Sequence, residues 1–251
     1  MGQRVYLLKQ DKVDERDRNF HATLHKLKIV LPKVVDLRNG CSPVVDQGEL
    51  GSCTANAIAS GLREYLELQA GKLMPLSRLW LYWEERKLEG TVDEDAGASI
   101  RDGMKILNKF GCPPEIDWPY DTSKFTQTPP AKSFADAVQY TIKEYHRVSN
   151  LIALKTALAE GYPVVIGIKI YETFESDQVA QTGIVPLPQH GEQYLGGHAV
   201  LAVGYKDDAQ IKNEGVVICR NSWGRTWGDN GYFYLPYRYF DDNVLDMWTG
   251  R

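Results

Sequence analysis

No two cysteines in this 251-residue sequence stand close enough to begin a zinc site; Cys41, Cys53, Cys112 and Cys219 are widely spaced and none forms a C-x-x-C pair. No metal and no cofactor is therefore expected. A chain of this size does not depend on disulfides, and Cys219, within the apolar run VVIC, reads as a buried reduced thiol. Also missing is any apolar run near the roughly 20 residues that cross a bilayer. The opening stretch MGQRVYLLKQDKVDERD has no apolar segment of a secretion signal, and Tyr6 stands where a myristoylation signal wants Ser or Thr. The expectation is a cytoplasmic protein with no membrane partner, with the proviso that a chain trimmed of a signal would read the same way. Excess positive charge is absent as well: 29 Lys and Arg against 33 Asp and Glu argue against nucleic acid as a partner. The densest charge run, Lys9 to Arg18, mixes both signs and reads as a solvated segment.

What is present is an ordinary globular composition, 43% hydrophobic and 11% aromatic, in a chain long enough for two small domains or one large one. Residues 1–33 read as an N-terminal arm. Residues 34–145 are mainly helical: Ile58, Leu62, Tyr65 and Leu66 recur at helical spacing until Gly71, and LSRLWLYWEERKL and IRDGMKILNKF continue the period. The segment PPEIDWPYDTSKFTQTPP is loop-like. Residues 146–251 change period, with LIALKTALAEG helical and PVVIGIKI, HAVLAVGY, GVVICR and GYFYL short, β-branched or aromatic, and bounded by Gly or Pro. A helical half followed by a sheet-rich half is an α+β arrangement.

Cys53 is the residue best placed for chemistry. It stands where a glycine-containing loop meets an amphipathic helix, and the free N–H groups and dipole of a helix start favour a thiolate. Gln47, six positions earlier, can swing its amide back across the loop and, with the backbone N–H of Cys53, form an oxyanion hole. Of five histidines, His198 is favoured as base: it sits in GGHAVLAVGY at the mouth of a strand, where Gly196 and Gly197 leave room for a substrate backbone. His21, His25, His146 and His190 read as solvated or structural. Asn221, directly after VVICR, can accept a hydrogen bond from the imidazole and fix the ring. The expected resting state is a thiolate–imidazolium pair.

The segments QGELGSC, GGHAVLAVGY and NSWGRTWGDNGYF, in this order and spacing, resemble the papain family of cysteine peptidases. That resemblance implies an α+β papain-like fold, a helical left half and a β-barrel-like right half with the active-site cleft between them. It implies Cys53 as nucleophile, His198 as base and acid, Asn221 as orienting amide and Gln47 in the oxyanion hole. It further implies Gly97 and Ala98 along the edge that pairs with substrate backbone, and Gly197 beside the catalytic His. Gly167 and Ala199 belong to the pocket for the side chain preceding the cleaved residue. Trp223 is implied as the shield of the His–Asn hydrogen bond, with Trp227 packed nearby. Leu50 replaces a disulfide-forming Cys and Thr54 an aromatic residue of many relatives, which suits a bacterial or phage-type branch and a reducing compartment.

The implied activity is hydrolysis of peptide bonds through a thioacyl-enzyme, as an endopeptidase acting on peptide or protein substrates, with a proteinaceous inhibitor as a further class of partner. Two alternatives stand beside it: transglutaminase-like or amidase acyl transfer on the same fold, and an inactive binding derivative. The arm is too short for the long helical propeptide of relatives and is expected to lie along the surface near the cleft.

Overall fold

The computed structural model describes residues 4–20, 30–208, 210 and 214–251. Its helical half is built around α1, a continuous helix of three segments, Cys53–Ala55, Asn56–Arg63 and Glu64–Gln69, the middle one π-helical. Such widened turns concentrate at functional sites. The helix ends where expected, with Gly71 at φ +97°. α2 (Arg78–Glu89) begins where Ser77 Oγ accepts the Trp80 N–H, and it stops at left-handed Gly90. α3 (Ile100–Lys109) is capped in the same way by Ser99. Leu79, Trp80, Ile100, Met104 and Leu107 are buried, so these periodic apolar residues are core.

The sheet-rich half is an antiparallel sheet in the order β2-β7-β3-β4-β5-β6, with β1 also paired to β4. Its strands are β1 (Val34–Asp36), β2 (Tyr145–Arg147), β3 (Val164–Tyr171), β4 (Tyr194–Asp207), β5 (Gly215–Arg220), β6 (Tyr232–Pro236) and β7 (Val244–Gly250). Among the described residues β6 and β2 remain edges, so the sheet is open where a barrel-like half was expected. Bulges in the β3–β7 and β4–β5 pairings bend it instead.

β4 is the wall between two cores. Ala199, Leu201 and Val203 face the helical core that contains Cys53, while Val200 and Ala202 face a second core with Trp223 and Trp227. Alternation along one strand therefore directs the side chains of His198 and Ala199 to opposite faces of the sheet.

Candidate active site

Residues 46–47 are tied to the segment after β5, which brings Gln47 and Asn221 together across 174 positions of sequence. Asp46 bridges to Trp223, and the Gln47 N–H donates to Ser222 O at 2.8 Å. The Gln47 side chain is fixed at both ends: Nε2 donates to Leu50 O at 2.9 Å and Oε1 accepts from Ser222 Oγ at 2.6 Å. An amide nitrogen has two hydrogens, so one remains for a substrate oxyanion. The loop-like segment contributes here too, because Tyr120 Oη donates to Gln47 O at 2.9 Å and meets Ser52 Oγ at 2.6 Å.

Cys53 is buried at the first turn of α1, with the N–H groups of Thr54 and Ala199 directed at its sulfur. Ala199 follows His198 on β4, so the residue beside the thiol and the imidazole are neighbours on that strand. The His198 Nε2–H donates to Asn221 Oδ1 at 2.9 Å, and Oδ1 also accepts the Ser222 N–H at 2.8 Å. Two donors on one atom identify it as the amide oxygen and place the ring proton on Nε2. His198 Nδ1 is buried with no hydrogen-bond partner, and in a neutral ring of this tautomer it is a base. Trp223 stacks on the imidazole at 4.9 Å and 26°, and Trp227 meets Trp223 edge-on at 4.8 Å.

The resting charge state differs from the sequence expectation. Burial raises the Cys53 thiol to about 12, against smaller opposing help from the Ala199 N–H, and burial lowers His198 to about 4, with Arg4 adding to the fall. A helix start alone does not hold a thiolate when water is excluded. Both shifts favour the neutral form, thiol at Cys53 and imidazole at His198.

What excludes water is the N-terminal arm, which lies in the cleft itself. Arg4 sits 4.1 Å over the Trp223 ring, and Tyr6 stands edge-on to His198 at 6.1 Å. Leu8 N–H donates to Gly197 O at 3.1 Å and Lys9 N–H to Ala98 O at 3.0 Å, as parallel bridges. The edge assigned to substrate backbone is thus paired with the chain's own backbone. At Gly97, φ +66° and a Cβ that would lie 1.9 Å from Leu7 O admit no other residue while the arm is docked. Leu8 fills the small-residue pocket: a Cβ on Gly167 would reach its Cδ2 at 2.7 Å, and Ala199 belongs to the same buried cluster.

Beyond Leu8 the arm is clasped by ions. The Asp11 carboxylate accepts Trp248 Nε1–H at 2.6 Å and the Arg101 N–H at 3.2 Å, and it pairs with Arg147 at 3.3 Å, while the Asp11 N–H donates to Asp246 at 2.9 Å. Arg101 pairs with Asp14 at 3.2 Å and Arg147 with Asp17 at 3.4 Å. The Lys9 to Arg18 run is therefore a docking device, and the Asp11 side chain is fully covered among partners distant in sequence. Sequence reasoning missed Arg101, Arg147 and Asp246, and the recurrence of Asp11, Asp14 and Asp17 every third position was the one available signal. Of the other histidines, His146 lies on β2 near Glu144 at 3.7 Å and His190 is exposed; His21 and His25 lie outside the described residues.

Burial, and after it the neighbouring Asp246, pushes the Asp11 carboxyl up to about 6, against the opposing pull of Trp248, Arg101 and Arg147. A carboxyl raised from 3.8 on docking stabilises the docked arm fully below that value and loses the contribution as pH rises through about 6. Asp14 is held below the usual carboxylate range by Arg16 and stays ionised across this window. Amide exchange protection at Leu8 and Lys9 is therefore expected to fall between about pH 5 and pH 7.5, by roughly tenfold. Asp11→Asn keeps a side-chain oxygen for Trp248 and Arg101, and should make protection flat over that range; an unchanged slope would remove Asp11 from the account.

This geometry and this fold are those of a cysteine protease. The chain belongs to the papain family: residues 31–243 match the family described as Papain family cysteine protease. It is 42% identical over 231 residues to an uncharacterised peptidase C1-like protein of Acanthamoeba polyphaga mimivirus, covering 87% of this chain and 72% of that one. It is 31% identical to Cysteine proteinase 1 of Entamoeba histolytica, covering 83% of this chain but 65% of that longer protein. Among solved structures it is similar to xylellain, a cysteine protease from Xylella fastidiosa, at TM-score 0.86 and 36% identity, covering 100% of this chain and 98% of that one.

Proposed function

We propose that this chain cleaves internal peptide bonds through a thioacyl-enzyme on Cys53, and that residues 4–12 of its own arm hold it latent. One observation carries the reading: an imidazole whose Nε2–H is spent on Asn221 and whose Nδ1 is buried and unpartnered, on the strand whose next residue, Ala199, lies against the Cys53 thiol at the start of α1. When the arm leaves and water enters, both shifts caused by burial relax, and Nδ1 accepts the thiol proton. The thiolate attacks the carbonyl carbon, and the oxyanion meets the spare Gln47 Nε2–H and the Cys53 N–H. His198 gives its proton to the leaving amine, then takes one from water as that water hydrolyses the thioester. No side-chain acid is needed as third member, because thiolate and imidazolium neutralise each other.

The groove that admits Leu8 supports a preference for a medium-sized apolar side chain before the cleaved residue, and an inhibitor protein would have to enter the same groove. A thiol-reactive epoxysuccinyl peptide is expected to label Cys53 and none of Cys41, Cys112 or Cys219, read by peptide mapping in a mass spectrometer. Label on another cysteine, or none on Cys53 after the arm is opened, would end this reading.

A further inference from the structure

Among the described residues of the arm, Arg4 lies nearest the leaving-group end of the cleft, and its surroundings are built for a cation. Along the arm, Leu8 lies at Gly167 and Gly197 on the acyl side, Tyr6 lies against His198, and Arg4 lies beyond it on Trp223. His198 delivers its proton to the departing amine, so residues beyond the imidazole from Leu8 face the part of the substrate that follows the cleaved bond. There the Arg4 guanidinium carbon stands 4.1 Å over the indole and its Nη1 donates to Glu175 Oε2 at 2.8 Å.

Glu175 is not a loose surface carboxylate. It ends the short turn Glu172–Glu175, whose Phe174 is 1% exposed, stacked on Trp227 at 5.8 Å and edge-on to Trp223 at 5.7 Å. The aromatic anchor sets the carboxylate beside the indole face. The adjoining cavity, about 220 Å³, is lined by Arg4, Trp223 and Trp227 together with the acidic Asp46 and Glu49. An aromatic face, a carboxylate at hydrogen-bond range and an acidic rim form a complete receptor for a guanidinium.

We propose that Glu175 and Trp223 form a subsite for a basic side chain, arginine above lysine, in the first or second residue after the cleaved bond, and that Arg4 occupies it in the latent state. This rests on the protease reading above and adds the substrate class: peptides carrying a cation on the leaving side. Arginine is preferred because its planar guanidinium can lie on the indole and still reach the carboxylate, which a compact ammonium does less well. Asp46 and Glu49 contribute attraction at longer range, which salt weakens.

The test compares internally quenched peptides that are identical except for arginine, citrulline or glutamate at either position after the cleaved bond. Citrulline keeps the shape and loses the charge. The full chain serves, because the fraction of molecules with an open arm is common to all three substrates and cancels from ratios of kcat/KM. Arginine is expected to exceed citrulline by about tenfold and glutamate by more. Glu175→Gln should bring the arginine-to-citrulline ratio close to one, and Glu175→Lys should favour glutamate. A peptide whose leaving group is a bare fluorophore reports any change in arm opening, separately from the ratio. A wild-type ratio near one at both positions, or a ratio that survives Glu175→Gln, overturns the subsite. Absence of cleavage of every peptide, with no label on Cys53, would instead overturn the protease reading.

Discussion

Cys53→Ala and His198→Ala are each expected to lower kcat on a peptide amide by at least about 10⁴-fold, with Asn221→Ala costing less, roughly 10- to 100-fold. The first removes the only atom that can form the thioester, and the second removes the buried, unpartnered Nδ1 that takes its proton. Asn221 acts on the ring and not on the substrate. Its loss frees the imidazole to rotate and leaves Nε2–H without its 2.9 Å acceptor, yet the Trp223 stack at 4.9 Å still restrains the ring plane. Steady-state kcat and KM for the three variants, with circular dichroism to confirm folding, check the order. Combining Cys53→Ala with His198→Ala should cost little more than either alone, because the two groups act as one unit. Activity in His198→Ala near that of the parent would place the proton on some other base.

The segments proposed to do the chemistry were legible because each rests on a local conformation. Cys53 at a helix start, His198 at a strand mouth and Asn221 directly after VVICR are each readable from a few neighbouring residues. The long helices and the strands β3 to β6 were legible for the same reason, since each carries its own hydrophobic period. β1 and β2, of three residues each, are too short to show a period, and β7 is read only once Trp248 is seen packed into the helical core. Whether a sheet closes is decided by bulges and pairings distant in sequence, so its openness could not be read locally. The arm was expected near the cleft, but the ion pairs that clasp it there were the largest omission. Nothing within KQDKVDER distinguishes a solvated charge run from one whose Asp11 meets Trp248 and whose Asp14 and Asp17 meet Arg101 and Arg147, because those partners lie some 90 to 240 positions away.

That arm supplies the second large effect: Leu8→Asp is expected to raise both turnover and the rate of Cys53 labelling by at least about 100-fold in the full chain. Leu8 is 8% exposed in a pocket walled by Gly167 and Ile100, and its burial contributes roughly 2 kcal/mol. An aspartate there forfeits that and would bury an unpaired charge, a cost of several kcal/mol more. Each 1.4 kcal/mol withdrawn from docking multiplies the open fraction about tenfold until the arm is mostly free. A single substitution is preferable to deleting the arm, because Asp11, Asp14 and Asp17 keep Arg101 and Arg147 paired beside the sheet. Opening should also change the chemistry of the dyad: with Tyr6 away from His198 and Arg4 away from Trp223, the imidazole pKa rises and the thiol pKa falls toward a thiolate–imidazolium pair. The pH dependence of labelling should therefore shift to lower pH in Leu8→Asp, a displacement that mere loosening of an unrelated surface segment would not produce. Unaltered labelling rate and pH profile in that variant would mean that the arm rests in the groove without governing it.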